Sequence, residues 1–182
     1  MGKLIMWNLI TLDGYFDGPK GWDLGWHQSA LEGDFFRFAN DQLRTADMLL
    51  FGRTTYEGMA RHWQTATGET AELMNAVPKI VFSRTMDRAE WENTTLIKDD
   101  PAAAVRDLKR RLTRNIFVFG SANLSATLIE AGLFDEYRLG LTSIVLGAGR
   151  PLFHPSANGL RLNFLDSERL SSGCVVLRYA PG

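Results

Sequence analysis

The segment at residues 115–153 constrains the fold more than any other part of the chain. In it, a short apolar run is followed by Gly120 and Ser121, then an amphipathic stretch, Gly132 and a second apolar run. This order predicts strand, tight turn, helix and strand, the right-handed crossover unit that is typical of parallel sheets. The segment therefore indicates an α/β fold built on a mainly parallel sheet.

The first turn of this unit has the properties of an anion site. Gly120 allows the backbone to come close to a ligand, and Ser121 opens a helix whose first N–H groups have no partner within the helix. Such N–H groups favour a negative charge at the helix start. We therefore expect the diphosphate of a nucleotide to bind at this turn.

Two earlier strands, predicted at residues 46–51 and 79–82, end in a similar way. The residues that follow them are small, hydroxylated or cationic: Gly52, Arg53 and Thr54 after the first strand, and Ser83, Arg84 and Thr85 after the second. In doubly wound sheets, ligands bind outside the carboxyl ends of the strands. Because the arginine fork matches phosphate oxygens, this pattern favours NADPH over NADH as the cofactor.

The N-terminal part of the chain is predicted to form a central strand at residues 3–12 and a long loop at residues 15–26. The loop is rich in glycine and contains Trp22 and Trp26. Loops of this length inside a domain are often functional, and large aromatic side chains seek a surface to bury against. Two interpretations stay open, a lid over a flat ring substrate and a closure of one end of the core.

A helix is predicted at residues 29–45, and Asp34 lies on it beside apolar aromatic positions. A carboxylate held near apolar surface has a raised pKa and can hold or donate a proton. Asp34 is therefore a candidate catalytic acid, although a solvated helix residue is the simpler interpretation of the same pattern.

Composition narrows the classes of function. A chain of 182 residues with a formal net charge of −1 is expected to be a single domain, residues 1–182, without a bulk attraction to nucleic acid. The chain has a single cysteine and no apolar run long enough to cross a membrane. We therefore expect a cytoplasmic protein that does not bind membranes. The three histidines lie in separate segments, so no metal site is expected. The basic end of the helix that begins at Pro101 is interpreted as a solvated face near a helix C-terminus.

Several of these motifs resemble the dihydrofolate reductase-like superfamily. The closer resemblance is to the branch that contains the C-terminal reductase domain of the bifunctional riboflavin-biosynthesis deaminase-reductase, and it covers nearly the whole chain. It is carried by LDGY at residues 12–15, LFGRTTYE at 50–57, PKIVFSRT at 78–85, LIEAGLFDE at 128–136 and VLGAGRPLF at 145–153.

The resemblance implies a mixed, mainly parallel sheet flanked by helices, with a C-terminal antiparallel hairpin. It also implies hydride transfer from NADPH to a small heterocyclic substrate. Residue by residue, it assigns cofactor contacts to Gly52, Arg53, Thr54, Ser83, Arg84, Thr85, Gly120, Ser121, Ala122, Asn123 and Leu124. Asp13 would border the nicotinamide and the substrate, and Asp34 would lie near the position of the folate-reductase carboxylate, so these two are the candidate catalytic residues.

The sequence departs from the family pattern at two positions. Ser121 stands where the family has the second of two glycines, and Phe119 stands where the pyrimidine reductases carry an acidic residue that touches substrate. Three functions therefore stay open: a pyrimidine reductase of riboflavin biosynthesis or a relative acting on a similar heterocycle, a folate-type reductase, and a non-catalytic nucleotide-binding dimer module. By analogy with related reductases, we expect a homodimer.

Overall fold

The structure is built around a long mixed sheet. The computed structural model describes residues 1–154 and 159–182, and within them the strands form one eight-stranded sheet and one two-stranded sheet. The strands are β1 (Lys3–Ile10), β2 (Tyr15–Asp17), β3 (Ala46–Gly52), β4 (Lys79–Phe82), β5 (Thr94–Ile97), β6 (Asn115–Phe119), β7 (Glu136–Leu141), β8 (Arg150–Pro151), β9 (Leu162–Arg169) and β10 (Val175–Pro181). The helices are α1 (Phe35–Arg44), α2 (Arg53–Trp63), α3 (Glu69–Ala76), α4 (Pro101–Arg111) and α5 (Ala122–Glu130), and a short 3-10 helix covers Gly25–Ala30.

The topology confirms the predicted fold class. The large sheet has the order β5-β4-β3-β6-β1-β7-β10-β9, and its first six strands are parallel. Strand β10 pairs antiparallel with both β7 and β9, which forms the expected C-terminal hairpin. The crossover from β6 through α5 leads to β7, on the far side of β1.

The alternation of side chains along β1 explains why helices cover both faces of the sheet. Ile5, Trp7 and Leu9 belong to one core cluster, together with apolar residues of α1, α2 and α3. Leu4 and Met6 belong to a second cluster, on the opposite face, with residues of α4 and α5. A central strand of a parallel sheet is buried on both faces, which is why its sequence is apolar almost throughout.

The first helix begins later than the sequence pattern predicts. The prediction of one helix at residues 29–45 is wrong at its start, because a 3-10 helix ends at Ala30 and α1 begins only at Phe35. Gly33 lies between them with φ +62°, a left-handed conformation that breaks a right-handed helix. Asp34 therefore stands at the N-terminal boundary of α1, where its side chain makes no capping hydrogen bond.

The basic end of α4 is only partly a solvated face. Arg110 and Arg111 pair with Asp107 on the same helix and stay exposed, as expected. Lys109 is buried instead, and its Nζ donates to the Leu133 carbonyl at 2.7 Å. Its ion pair with Asp135, also at 2.7 Å, ties α4 to the residues just before β7.

No helix within residues 1–154 and 159–182 combines the length and the apolarity needed to cross a membrane.

Candidate functional site

A cavity of about 1200 Å³ lies at the carboxyl ends of the parallel strands. Strands β4, β3 and β6 are neighbours in the sheet, so the turns that follow them meet along one edge. Ten of the eleven predicted cofactor residues line the cavity: Gly52, Arg53, Thr54, Ser83, Thr85, Gly120, Ser121, Ala122, Asn123 and Leu124. Arg84, the eleventh, is exposed and does not line it.

The turn after β6 has the close approach that a glycine permits. Gly120 has φ +60°, and a Cβ atom at this position would lie 3.0 Å from Cγ2 and 3.1 Å from Oγ1 of Thr55. Contacts this short are tighter than most real Cβ contacts. A side chain at position 120 would therefore both strain the backbone and displace Thr55, so the turn requires glycine.

Ser121 joins the first and third turns instead of capping its helix. It has φ +61° and makes no side-chain cap bond to α5. Its Oγ accepts the Gly52 N–H at 2.8 Å, and its own N–H donates to Thr55 Oγ1 at 3.0 Å. Ser121 occupies the N-cap position of α5, as its place at the helix start predicts, but its hydroxyl is engaged by the neighbouring turn and not by the helix. Two backbone N–H groups at this edge are thereby already paired.

Arg53 joins the first turn to the second. Its Nη1 donates to Thr85 Oγ1 at 2.9 Å, and its Nε pairs with Glu57 Oε1 at 2.7 Å. The Ser83 hydroxyl accepts the N–H of Met86 at 3.1 Å, which shapes the second turn. The guanidinium is half exposed, so an anion arriving from solvent can reach it without breaking up the turn.

Aromatic and apolar side chains line the other part of the cavity. We call this set the aromatic wall: Trp7, Trp22, Leu31, Phe35, Met59 and Trp63. Phe119, at the position where the pyrimidine reductases carry an acidic residue, also lines the cavity and packs edge-on against Phe51. Such a surface fits a flat ring and offers little to a charged group.

The two tryptophans of the glycine-rich loop have different roles. Trp26 is buried in the core cluster, whereas Trp22 lines the cavity and packs closely over α2. A Cβ atom at Gly58 of α2 would lie only 2.1 Å from the Trp22 ring. The lid interpretation therefore suits Trp22, and the core interpretation suits Trp26.

The Asp17 carboxylate fixes the conformation of the glycine-rich loop at residues 15–26. It is buried at the end of β2, and its two oxygens accept the N–H groups of Trp22 at 2.9 Å and Asp23 at 2.8 Å. Trp22 itself has φ +54°, an unusual value for a bulky residue. This strained backbone is fixed by the two hydrogen bonds, so Asp17 sets the direction of the Trp22 ring.

Asp13 organises two loops beside the cavity without lining it. Its carboxylate accepts the Thr11 hydroxyl at 2.6 Å and the N–H groups of Gly147 at 2.8 Å and Leu146 at 3.2 Å. The Thr11 hydrogen bond, together with those backbone donors, lowers the pKa of Asp13. Asp13 thus joins the loop after β1 to the loop before β8, and its predicted catalytic role stays a prediction.

Asp34 does not lie where the sequence pattern suggests. It is outside the cavity lining, and its Oδ1 accepts the N–H and the hydroxyl of Ser171, each at 2.9 Å. The backbone hydrogen bond from Ser171 is the main cause of a lowered pKa. The expectation of a raised pKa is wrong, because the carboxylate faces hydrogen-bond donors in the turn between β9 and β10 and not apolar surface.

Two polar residues of the cavity were missed by the sequence reasoning. Asn8 is only 5% exposed, and its Nδ2 has no hydrogen-bond partner among the described residues. The His27 Nε2 is also buried without a partner in that part of the chain, and both residues line the cavity. The available signal was Asn8 itself, a polar residue inside the otherwise apolar strand LIMWNLI.

Within residues 1–154 and 159–182, no group of three or more histidine, cysteine, aspartate or glutamate side chains could hold a metal ion.

The sheet order, the C-terminal hairpin and the cavity across three strand ends define a dihydrofolate reductase-like α/β protein. The chain belongs to the RibD C-terminal domain family, whose profile matches residues 2–176. It is 29% identical over 182 residues to the uncharacterized protein YyaP of Bacillus subtilis, covering 97% of this chain and 94% of that protein.

Solved structures agree with this assignment at the level of the fold. A Shewanella sp. PV-4 protein described as a riboflavin biosynthesis protein superposes with a TM-score of 0.79 at 20% identity, over 100% of this chain and 99% of that chain. A dihydrofolate reductase of Enterococcus faecalis, solved with NADP(H), superposes with a TM-score of 0.68 at 16% identity, over 100% and 97% of the two chains. The chain therefore has the same fold as both of these proteins.

Proposed function

We propose that the protein is an NADPH-dependent reductase of a small planar heterocycle. Its activity would be most like that of 5-amino-6-(5-phosphoribosylamino)uracil reductase, or of a relative that reduces a similar ring. The proposal rests on one observation: the turns after β3, β4 and β6, which are suited to phosphate groups, line the same cavity as the aromatic wall. The family and the fold support a reductase of this kind.

The residues of the three turns fit a phosphorylated dinucleotide. Gly120 leaves a cradle that a Cβ atom would fill, and the first residues of α5, Ala122 and Asn123, line the cavity beside it. These residues would hold the diphosphate, while Arg53, with Ser83 and Thr85, would hold the 2′-phosphate end. When bound, NADPH supplies the hydride.

The residues of the protein would orient the ring and exclude water. The aromatic wall would hold the substrate ring flat, and Trp22 would close the cavity from the side of α2. Fixing the two reacting partners in one geometry is itself a large part of catalysis. Asp34 is not proposed as the proton donor, since its carboxylate lies outside the cavity lining and is bonded to Ser171.

Cofactor binding is tested by quenching of tryptophan fluorescence, because three of the five tryptophans line the cavity. NADPH is expected to bind more tightly than NADH. Arg53→Gln is expected to weaken NADPH binding about tenfold to a hundredfold and leave NADH unaffected, since a charge-assisted hydrogen bond is worth about 1.5–3 kcal/mol.

Arg61→Gln is the matched control, because Arg61 lies on the same helix, is exposed and does not line the cavity. If neither nucleotide quenches the wild type, the reductase proposal fails and a non-catalytic module is favoured. Oxidation of NADPH with the phosphoribosylaminouracil substrate, but not with dihydrofolate, would separate the pyrimidine reductase from a folate-type reductase.

We also propose that the protein forms a homodimer through β9. This strand is an edge of the sheet, is exposed along nearly its whole length, and carries Phe164 at 59% and Leu165 at 50% exposure. A long exposed edge with apolar side chains is a surface that soluble proteins normally cover. A second copy of the same chain would cover it in a symmetric contact.

Light scattering is expected to give the mass of two chains, and Phe164→Lys is expected to shift it to the mass of one. Glu168→Lys is the control, because Glu168 is an exposed polar position on the same strand. A wild-type mass of one chain would reject the dimer.

A further inference from the structure

The cavity contains one arginine that the proposed function does not use. Arg150 lies on β8 and lines the cavity, as Arg53 does, but Arg53 has an ion pair with Glu57. In the part of the chain that the structure describes, no aspartate or glutamate forms an ion pair with Arg150. Residues 155–158, outside that part, carry no charged side chain. Arg150 therefore brings a positive charge to the cavity without an acidic partner.

Asp17 is the only acidic side chain among the described residues of the cavity lining, and it does not bind Arg150. The two residues are opposite each other where β2 pairs antiparallel with β8. Both carboxylate oxygens of Asp17 point elsewhere, because they accept the backbone N–H groups of Trp22 and Asp23. The hydrogen-bond donors of Arg150 are therefore not used by this neighbour.

The orientation of the Arg150 guanidinium keeps its donors available. Exposure alone would fit a solvated arginine, but this group lies against the glycine-rich loop at the edge of the cavity. A Cβ atom at Gly21 would lie 3.7 Å from both Cζ and Nη2 of Arg150 and 4.0 Å from Nη1. Such similar distances mean that one face of the planar group covers Gly21. The N–H groups lie in the plane, so they remain free to donate to a ligand.

The backbone that carries Arg150 is fixed on both sides. A Cβ atom at Gly149 would lie 2.5 Å from the Asp17 carbonyl oxygen, so the close approach of β8 to β2 requires glycine there. The Asp13 carboxylate accepts the N–H groups of Leu146 and Gly147, just before β8. A binding residue is more effective when its own backbone is held in this way.

The strand order separates Arg150 from the turn proposed for the 2′-phosphate. Arg53 follows β3, whereas β2 follows β1 and β8 follows β7, and these strands are arranged in the order β3-β6-β1-β7. Neighbouring strands are about 4.8 Å apart, so the loops after β1 and β7 begin roughly 10–15 Å from the turn after β3. Gly21, which the guanidinium covers, directly precedes Trp22 of the aromatic wall. Arg150 therefore lies on the proposed substrate side.

We propose that Arg150 binds a negatively charged group, a phosphate or a carboxylate, that is attached to the substrate ring. The planar fork of an arginine matches the oxygen atoms of either group in a two-point contact. The inference rests on the proposed function and adds a second subsite to it. The aromatic wall holds the ring, and the ribbon formed by β2 and β8 holds the charged substituent.

Two pairs of probes with a common ring test the proposal. Uridine 5′-monophosphate differs from uridine by a phosphate, and orotate differs from uracil by a carboxylate. The full-length protein is first saturated with NADPH, which occupies the three turns, and each probe is then titrated by calorimetry. We expect at least one charged probe to bind about tenfold to a hundredfold more tightly than its neutral counterpart. The pair that shows this preference identifies the charged group.

The variants separate a contact with Arg150 from a general effect of charge. Arg150→Gln is expected to abolish the preference and to leave the affinities for NADPH and for the neutral probes unchanged. Arg150→Lys is expected to retain part of the preference, because it keeps the charge but loses the planar fork. Lys20→Gln is the matched control, since Lys20 is an exposed cation of the same loop that does not line the cavity. This control is expected to keep the full preference.

The outcomes distinguish the two proposals. Failure of the wild type to bind NADPH rejects the proposed function and the Arg150 inference with it. When NADPH binds normally, the Arg150 inference alone is rejected if neither charged probe binds more tightly than its neutral counterpart. It is also rejected if the preference survives in Arg150→Gln or is lost in Lys20→Gln. A fall in NADPH affinity in Arg150→Gln would assign the residue to the cofactor phosphates and would likewise reject it.

Discussion

Replacing Gly120 by alanine is expected to reduce NADPH affinity by about a hundredfold and to lower the free energy of unfolding by about 2–3 kcal/mol. The residue has φ +60°, so a side chain there carries the cost of a left-handed conformation. The new Cβ atom would also press on Thr55, whose Oγ1 accepts the Ser121 N–H at 3.0 Å. Moving Thr55 therefore disturbs the link between the first and third turns.

Gly132→Ala provides a closely matched control for this variant. Gly132 has φ +62°, almost the same conformation, but a Cβ atom there would meet nothing within 4 Å. We expect this variant to lose only about 1 kcal/mol of stability, the cost of placing a Cβ atom on a left-handed backbone, and to bind NADPH normally. Equal losses in the two variants, measured by urea unfolding and NADPH titration, would show that contact with Thr55 contributes nothing.

Gly58→Ala is expected to move Trp22 and to open the cavity without unfolding the protein. A Cβ atom at Gly58 would lie 2.1–2.4 Å from three ring atoms of Trp22, so the ring must leave its position over α2. Alanine is favoured over glycine inside a helix by about 1 kcal/mol, which offsets part of the packing lost by the ring. We therefore expect the tryptophan emission to shift to longer wavelength and the affinity for the proposed heterocyclic substrate to fall at least tenfold.

The effect on stability separates this result from general damage. The free energy of unfolding of Gly58→Ala is expected to stay within about 1 kcal/mol of the wild-type value. The higher helix propensity of alanine stabilises α2, and the lost packing of the Trp22 ring offsets that gain. Gly25→Ala serves as the control, since Gly25 lies in the same region with open space where its Cβ would be. An unchanged emission spectrum in Gly58→Ala would mean that Trp22 does not rest on α2.

The strand ends of the site were predictable because they depend on local patterns. The prediction of a strand at residues 79–82 agrees with β4, and the predicted turns lie at the ends of their strands, with Gly52 as the last residue of β3 and Gly120 directly after β6. Each pattern is an apolar run that ends in a small residue. Such a strand and the turn after it can be predicted without knowing which distant residues they contact. Because parallel strands share one carboxyl edge, the convergence of the turns followed from the fold class.

The polar groups of the substrate side were not predictable in the same way. Asp34 and His27 are separated by one short loop, and the sequence alone favoured Asp34 because an acid beside aromatic residues suggests a proton donor. The left-handed Gly33 breaks the helix there, and the Asp34 carboxylate instead binds Ser171, 137 residues away in the chain. No local pattern contains that contact.

The sequence by itself determined the order of the strands and helices of the large sheet, the turns that face the cavity and the family of the protein, because all three depend on short-range periodicity and motifs. It did not predict the short strands β2, placed in the predicted loop, and β8. The tertiary structure alone decided which side chains enter the cavity. Asp17 directs Trp22 over Gly58, and burial leaves His27 and Asn8 without partners among the described residues. These arrangements depend on the path of loops between distant elements, where one glycine conformation or one long-range hydrogen bond redirects a whole side chain.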